Sequence, residues 1–237
     1  MIQVSSDKGF WRITLDRPDK ANALTPELLL AVAEAAEQAA DDPDFRVLVL
    51  TGAGDRVFCA GADVDASGDM FDFTRDPVWT RASDAIARLP GLTIAALNGT
   101  LAGGGFALAL ACDLRICTPS AKFFYPVLKR GFLPQPNDVL RLAELIGPAR
   151  AKLILMGGQK LTAEEAKAVG LVEQVLPLSE FGTYLDALTN DAMAAKPQSI
   201  YAIKRLFQTG LSAEDLADCY QAAYFDDPNA ITRIKRG

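Results

Sequence analysis

Three consecutive glycines occur within Asn98-Gly99-Thr100-Leu101-Ala102-Gly103-Gly104-Gly105-Phe106-Ala107-Leu108, between a segment that predicts a buried strand and one that predicts an apolar helix. This arrangement places free backbone N–H groups at a helix N-terminus, where the helix dipole favours negative charge. A second loop, Phe58 to Val64, has small side chains that leave its backbone amides accessible. Two such amides converging on one point would bind the oxygen of a thioester carbonyl as it becomes an enolate.

The same glycines are compatible with two other interpretations. They could serve only as tight turns, where glycine supplies a positive φ angle and allows close helix packing, and spacing alone leaves this alternative open. They could also belong to a dinucleotide-binding fold. Gly103 to Gly105 lacks the G-x-G-x-x-G pattern, however, and no acidic residue follows about twenty positions later to hold a ribose. The dinucleotide interpretation is therefore disfavoured.

Strand and helix patterns alternate through the first half of the chain. Ile2 to Ser6 and Gly9 to Asp16 predict a hairpin, and Thr25 followed by Pro26 predicts the capped start of a helix that ends near residue 40. The further predicted segments are strands at 46–51, 57–60, 93–98 and 114–118 and a helix at 78–89. After about residue 134 the pattern predicts successive helices, at roughly 137–146, 148–156, 162–168, 179–195, 197–208, 212–225 and 228–235, interrupted by a strand at 171–176. The sequence therefore predicts an α/β fold with a helical end.

The composition excludes several functional classes. The chain has 237 residues, half of them apolar, which suffices for a large buried core. Its net charge of −6 disfavours nucleic acid as a partner. The absence of histidine excludes Ser-His-Asp and Cys-His catalysis and histidine-bound zinc. The chemistry must therefore use carboxylates, tyrosine, lysine, arginine, cysteine, backbone dipoles or water.

The sequence predicts a cytoplasmic protein with no membrane partner and no bound metal. Met1 to Val4 leads directly into polar residues, without the basic and apolar regions of a secretory signal. The longest apolar stretch, Leu101 to Cys112, contains the three glycines and is too short to cross a bilayer. The four cysteines lack metal-binding spacing, so we expect reduced, mostly buried thiols.

Segments along nearly the whole chain match the motifs of one protein family. Asp16 to Leu24 is similar to R-P-x-x-x-N-A-L, Phe58 to Val64 to F-x-A-G-A-D, and the glycine-rich stretch to N-G-x-x-x-G-G-G. Val47 to Gly52 resembles V-V-L-T-G, and Ala111 to Arg115 resembles C-D-x-R. Ala121 to Phe123 resembles A-x-F, and Ala163 to Val172 resembles A-x-E-A-x-x-x-G-L-V. By these motifs the chain resembles the enoyl-CoA hydratase/isomerase, or crotonase, superfamily.

The resemblance implies a crotonase-like spiral of repeated ββα units in residues 1–176 and a C-terminal helical trimerisation region in residues 177–237. It implies a homotrimer or a dimer of trimers. It also implies an oxyanion hole made by the backbone amides of Ala62 and Gly104. Coenzyme A would be part of the substrate, with no permanently bound cofactor. The implied substrate-binding residues are Lys20, Ala21, Ala23, Ala60, Asp63, Gly103, Ala107, Val127 and Gln135.

The positions that carry acid–base chemistry in the family are changed in this chain. Its hydratases have one carboxylate two positions after the third glycine and another after A-x-F, where this chain has Ala107 and Val127. Gln135 stands where dehalogenase- or isomerase-like members have an aspartate, and an amide cannot act as a base. Asp138 is a candidate for the displaced acid or base, although its position at the start of a predicted helix also suits the helix dipole.

These observations predict a lyase or isomerase that holds the enolate of an acyl-CoA but hydrates ordinary enoyl-CoA poorly. Proton transfer is assigned to Asp138, to acids of a predicted flap at residues 65–77, or to ordered water. Two alternatives remain open: an impaired acyl-CoA-binding paralogue, and a diketone hydrolase that does not use coenzyme A. Tyr125 is predicted as a core aromatic, with a hydrogen bond donated beside the acyl site as the alternative. Cys59 is predicted as a buried packing residue, and Asp113 as a partner of Arg115 or a structural cap.

Overall fold

The structure is a computed structural model that describes residues 1–63 and 76–222. Within these ranges the strands are β1 Ile2–Asp7, β2 Phe10–Leu15, β3 Val47–Gly52, β4 Val57–Cys59, β5 Leu92–Leu97, β6 Thr100–Ala102, β7 Leu114–Cys117, β8 Lys122–Phe124, β9 Leu161–Thr162 and β10 Gln174–Val175. The helices are α1 Pro26–Ala40, α2 Val78–Ala87, α3 Gly105–Ala111, α4 Val127–Arg130, α5 Pro136–Ile146, α6 Pro148–Leu155, α7 Ala163–Ala168, α8 Phe181–Ala194, α9 Pro197–Arg205 and α10 Ala213–Tyr220.

The strands form two sheets, and successive turns of the chain contribute one strand to each. A six-stranded sheet has the order β1-β2-β3-β5-β7-β10, and a four-stranded sheet has the order β4-β6-β8-β9. Strands β3, β5 and β7 are parallel neighbours in the first sheet, and the strands that follow them, β4, β6 and β8, are parallel neighbours in the second. The repeated ββα units are therefore confirmed, as is the hairpin of β1 and β2.

Helix α1 begins where the local sequence predicts. Thr25 has an extended backbone, and its Oγ1 accepts a hydrogen bond of 3.2 Å from the backbone N–H of Leu28. Pro26 occupies the first turn, where its missing N–H costs no hydrogen bond. The apolar residues Val32 and Ala36 lie one turn apart on the buried face. Capping and periodicity thus agree on the same helix.

Alternation along β3 divides the buried residues into two clusters. Leu48 and Leu50 belong to the main core, which both sheets share with the helices. Val47 and Val49 point to the opposite face of the six-stranded sheet, where they pack with Phe181 and other residues of α8. Burying each of these side chains contributes roughly 1.5–3 kcal/mol. Helix α8 therefore covers a sheet face, while the predicted boundary at residue 176 stays a prediction.

Two buried asparagines hold the loop between β3 and β4. Asn98 accepts at Oδ1 from the N–H of Gly52 at 3.0 Å and donates from Nδ2 to the carbonyl of Gly54 at 2.9 Å. Asn22 donates from Nδ2 to the carbonyl of Ala53 at 3.0 Å. Side-chain amides from two distant segments thus satisfy the backbone of this loop, which leads into β4.

The predicted elements agree with the structure except where strands are very short. Strands β6, β8 and β9 and helix α4 were not predicted, because two to four residues are too few to show a period. The strand predicted at 171–176 is reduced to β10, which pairs with β7 through two residues. The helix predicted at 228–235 and most of the predicted flap lie outside the described residues. No helix in the described ranges is long and apolar enough to span a bilayer.

Replacing Asn98 by alanine should lower the free energy of unfolding by about 2–4 kcal/mol, because the backbone groups of Gly52 and Gly54 lose their partners. Urea denaturation followed by circular dichroism measures this loss. Asn190→Ala is the matched control, since Asn190 is exposed on α8, and its effect should stay within about 0.5 kcal/mol. Equal stability of the two variants would contradict the role given to Asn98.

Candidate functional site

A cavity of about 200 Å³, open to solvent, lies where the two small-residue loops meet. The loop after β4 contributes residues 60–62, and the loop after β6 contributes residues 102–104. Apolar and aromatic side chains form much of the remaining wall, among them Trp79, Phe124, Tyr125, Phe132 and Leu133. The cavity therefore has bare backbone on one side and apolar side chains on the others.

The two loops approach each other so closely that side chains are excluded between them. A methyl group added at Gly61 would lie 3.1 Å from the nitrogen of Gly104 and 3.3 Å from Cα of Gly103. Gly61 also has a φ angle of +97°, which side-chain-bearing residues rarely adopt. A methyl group added at Gly104 would lie 3.8 Å from the nitrogen of Ala62. The loops that the sequence predicted to converge are adjacent.

The amides of Ala62 and Gly104 are available as hydrogen-bond donors. In the described residues, neither N–H donates to another backbone group. Leu24 donates to the carbonyl of Gly61 and accepts from the N–H of Asp63, both at 2.8 Å, so the intervening N–H of Ala62 points to the other side. Gly104 is the N-cap of α3, where an N–H has no intrahelical partner. Both residues line the cavity.

Trp79 packs closely against Gly104, and no local pattern in the sequence indicates this contact. A methyl group at residue 104 would lie 2.6 Å from the indole ring of Trp79, far inside van der Waals contact. The ring comes from the first turn of α2 and is buried. Helix packing alone brings it to the cavity, so no motif marks it. Glycine is therefore required at 104 for space.

A second set of contacts holds residues 20–24 against the loop after β4. Arg17 forms an ion pair with Asp63, with 2.8 Å between Nη2 and Oδ2, and donates from Nη1 to the carbonyl of Ala23 at 2.6 Å. Ala60 donates its N–H to the carbonyl of Ala21 at 3.0 Å. Three residues predicted to bind substrate, Ala21, Ala23 and Asp63, thus lie beside Ala62 and position it. Their binding role stays a prediction.

The other residues predicted to bind substrate separate into two groups. Ala60, Gly103, Val127 and Gln135 line the cavity. The remaining two do not line it: Ala107 is buried in the core and Lys20 is exposed beside the Ala21 segment. In the part of the chain that the structure describes, no carboxylate lines the cavity. Ala107 and Val127 stand where the family's hydratases have carboxylates, and on the described wall no other carboxylate takes their place.

Asp138 lies behind the cavity wall and is connected to it through Tyr125. The Tyr125 hydroxyl donates to Oδ2 of Asp138 at 2.7 Å, and its ring stacks on Phe106 with 5.4 Å between ring centroids. Asp138 is 1% exposed, and its Oδ1 has no hydrogen-bond partner among the described residues. Asp138 was predicted as an acid or base at the substrate, but Tyr125 is the member of the pair that lines the cavity.

Burial gives this pair unusual protonation equilibria. It raises the pKa of Asp138 to about 7, although the hydrogen bond from Tyr125 and the positive charge of Arg141 oppose the shift. Burial and the neighbouring Asp138 raise the pKa of Tyr125 well above its usual value. Arg141 is itself bound to Asp84, with 2.9 Å between Nη2 and Oδ1. Asp138 therefore changes its protonation state near neutral pH, and Tyr125 stays neutral.

The remaining candidates have structural roles. Of the two roles predicted for Asp113, the structural cap is confirmed, because its carboxylate accepts from the N–H and the hydroxyl of Thr93 and pairs with Lys204 at 2.8 Å. The alternative, a side-chain ion pair with Arg115, is wrong, because Arg115 pairs with Glu173 at 3.1 Å. Arg115 lies on β7, whose parallel neighbour β10 directly follows Glu173, so its side chain meets that segment.

Cys59 is fully buried, and burial raises the pKa of its thiol to about 12, which confirms a packing role. Asp65, Asp69 and Asp72 lie outside the described residues. Within those residues, no three His, Cys, Asp or Glu side chains are grouped to hold a metal ion.

Comparisons with known proteins agree with this geometry. The sequence profile of the family described as enoyl-CoA hydratase/isomerase matches residues 5–232. Carnitinyl-CoA dehydratases of Salmonella typhi and of Salmonella agona (strain SL483) are each 38% identical over 198 residues, which is 83% of this chain and 76% of the relative.

Solved structures show the same fold. An enoyl-CoA hydratase from Bacillus anthracis superimposes with a TM-score of 0.87 at 29% identity, covering 99% of this chain and 94% of the other. An enoyl-CoA hydratase/carnithine racemase from Magnetospirillum magneticum gives a TM-score of 0.88 at 30% identity, covering 99% and 91%. The predicted crotonase-like fold with C-terminal helices is thereby confirmed.

Relative to the wild type, the Asp138→Asn variant should become more stable as pH rises. The folded pKa near 7 lies above the ordinary value of 3.8, so the folded state binds this proton more tightly, and wild-type stability falls as pH rises through 7. Asparagine does not titrate. The difference in unfolding free energy between the variant and the wild type should therefore grow by about 2–3 kcal/mol from pH 5 to pH 8.

Chemical denaturation at the two pH values measures this difference. Asp186→Asn is the matched control, because Asp186 is exposed on α8, and its stability should follow that of the wild type at both pH values. A difference for Asp138→Asn that is the same at pH 5 and pH 8 would show that Asp138 is already ionised at the lower pH.

Proposed function

Because the chain belongs to the enoyl-CoA hydratase/isomerase family, whose members act on coenzyme A thioesters, we propose that it forms the enolate of an acyl-CoA as a lyase- or isomerase-type enzyme. The observation that carries this proposal is the pair of amides at Ala62 and Gly104, which have no backbone acceptor among the described residues and lie on adjacent loops that line one cavity. Their number and position suit a single oxygen that gains negative charge.

The proposed reaction uses backbone dipoles to hold developing charge. The thioester oxygen accepts from the N–H groups of Ala62 and Gly104. When a proton leaves the α-carbon, negative charge moves to this oxygen and strengthens both hydrogen bonds, so the transition state is stabilised more than the bound substrate. Each such donor typically lowers a barrier by about 3 kcal/mol. The N-terminus of α3 adds a favourable dipole at the same place.

The coenzyme A portion is proposed to lie along residues 20–23 and 60–63. These segments bond to each other through the N–H of Ala60 and the carbonyl of Ala21, which holds the turn at residues 20–23 beside the loop after β4. Lys20 is exposed there, and its amine is a suitable partner for phosphate groups. Coenzyme A would thus arrive and leave with the acyl group, as part of the substrate.

The cavity wall favours an uncharged or anionic acyl group. It is largely apolar, and in the described residues Arg130 is the charged side chain that lines it. The Salmonella relatives are named for a carnitinyl group, which is cationic. A cationic group here would meet the like charge of Arg130, and Coulomb repulsion would weaken its binding. We therefore propose a substrate other than carnitinyl-CoA.

A second candidate function is acyl-CoA binding without turnover. It is favoured by the described cavity wall, on which no carboxylate replaces those missing at Ala107 and Val127. The two functions differ in one observable, the exchange of α-protons in a bound acyl group.

A cytoplasmic homotrimer, or a dimer of trimers, is also part of this proposal. Ile203 and Phe207 support self-association, because these two large apolar side chains are exposed one helical turn apart and line the same surface pocket, which suits a protein interface. The C-terminal helices would then contribute both to the fold and to assembly.

Replacing Gly104 by alanine should slow enolate formation strongly, because the added methyl group overlaps the Trp79 ring and displaces the amide. We expect α-proton exchange of butyryl-CoA in deuterated water, followed by proton NMR, to fall at least ~100-fold, the effect of losing one oxyanion donor. Calorimetry measures binding of the same thioester.

Gly182→Ala is the control, since Gly182 lies on α8 with open space around it, and it should exchange at the wild-type rate. Exchange that survives in Gly104→Ala would contradict the oxyanion hole. Binding of butyryl-CoA and of longer acyl-CoAs with no exchange by the wild type would establish the binding function instead.

Hydration of crotonyl-CoA should be slow in this protein. General acid–base catalysis contributes ~10²- to 10⁴-fold, so a chain with Ala107 and Val127 in place of both carboxylates should turn over that much more slowly than a hydratase that has them. The loss of enoyl-thioester absorbance measures the rate. A turnover typical of hydratases would contradict this expectation.

A further inference from the structure

The buried pair Tyr125 and Asp138 offers a proton-transfer group that the sequence comparison does not assign. We propose that the Tyr125 hydroxyl is the catalytic group that removes a proton from, and returns it to, the α-carbon of the bound acyl group, with Asp138 as the positioning residue that exchanges a proton with it. This inference rests on the proposed enolate chemistry.

The position of Tyr125 supports a catalytic role for it. It follows β8 and lines the same cavity as Ala62 and Gly104, so its side chain is on the wall that a bound acyl group would contact. Stacking on Phe106, a residue of α3, fixes the ring relative to the loop that carries Gly104. The α-carbon is one bond from the thioester carbonyl, so a base must lie near the amides that hold its oxygen.

Asp138 can reach the cavity through Tyr125. Their side-chain oxygens are 2.7 Å apart, within the range for proton transfer along a hydrogen bond. Oδ1 of Asp138 is buried and unbonded among the described residues. A purely structural carboxylate would be costly in this state, because a buried ionised group with an unsatisfied oxygen destabilises the fold. A carboxyl group that accepts and releases a proton accounts for the arrangement.

The charges around Asp138 come from three elements. Tyr125 approaches from the loop after β8, and Arg141 lies on the same helix, α5. Asp84 of α2 accepts from Arg141 at 2.9 Å and from Asn137 at 3.0 Å, which directs part of the arginine charge away from Asp138. Burial consequently dominates, and the Asp138 pKa of about 7 lets it act as acceptor or donor near neutral pH.

The proposed step moves two protons and oxidises nothing. A lone pair on the Tyr125 oxygen takes the α-proton, while the hydroxyl's own proton moves to Oδ2 of Asp138. The C–H electron pair becomes the carbon–carbon double bond of the enolate, and the carbonyl π pair moves to the oxygen held by Ala62 and Gly104. One negative charge thus moves from Asp138 to the enolate oxygen. The reverse step restores the starting state, and no free tyrosinate forms.

Tyr125→Phe tests the catalytic residue, because phenylalanine keeps the ring and its stacking but has no hydroxyl. We expect butyryl-CoA exchange in deuterated water to fall by ~10²- to 10⁴-fold, while calorimetric binding of butyryl-CoA changes less than about threefold. Tyr201→Phe is the matched control, since Tyr201 is exposed on α9, and it should exchange at the wild-type rate. Exchange by Tyr125→Phe within threefold of the wild type would overturn the assignment.

Asp138→Asn tests the positioning residue through the pH profile of exchange. In the wild type the rate should rise through an inflection near pH 7, as Asp138 loses its proton and becomes an acceptor. The variant should exchange slowly and without that inflection, whereas a merely structural role would lower the rate and leave the inflection. Circular dichroism confirms that both variants are folded.

Carbon-13 NMR of labelled aspartate carboxyls gives a measurement that does not depend on activity. The Asp138 resonance is the one that is missing from Asp138→Asn. If this resonance titrates near pH 7, the assignment is supported, and if it titrates near pH 4, the assignment is overturned. The two proposals fail differently. A wild type that binds acyl-CoA without exchange overturns the enolate function and this step together, whereas full exchange by Tyr125→Phe overturns this step alone.

Discussion

The close approach of two loops without side chains is the constraint on which the site depends. The backbone at Gly61 lies against Gly103 and Gly104, and a methyl group there would crowd both. Glycine suits this packing because it supplies both the space and the positive φ angle. It brings the backbone of two successive ββα units to one edge of a cavity. The geometry of the proposed oxyanion hole is therefore set by the main chain before it is set by side chains.

Other parts of the fold act on that contact. Asn98 and Asn22 fix the loop that leads into β4, the Arg17–Asp63 ion pair holds the residue that follows Ala62, and Trp79 closes the space beside Gly104. These groups come from distant parts of the sequence. Because each acts on backbone rather than on substrate, their removal would disturb position more than chemistry.

The sequence predicted the features that local physics encodes. The capped start of α1, the hairpin and the alternation of strands and helices follow from periodicity and turn residues, and the glycine loops follow from motif. The partners of Asp113 and Arg115 were not predictable from the sequence. The two residues are only two positions apart, but their ion-pair partners lie on opposite sides of β7. Similarly, Asp138 was noticed as an acid, but only the folded chain places it behind Tyr125 and away from solvent. Burial and contact between distant segments are not local properties.

Helix α8 covers the outer face of the six-stranded sheet, and this has a consequence for how the chain is made. The valines of β3 on that face are synthesised long before the helix that buries them. During translation all six strands of the sheet are synthesised before α8, so this face stays uncovered until the last quarter of the chain leaves the ribosome. A chain that stalled before residue 181 would present an apolar sheet face to other nascent chains, which makes early termination a route to aggregation.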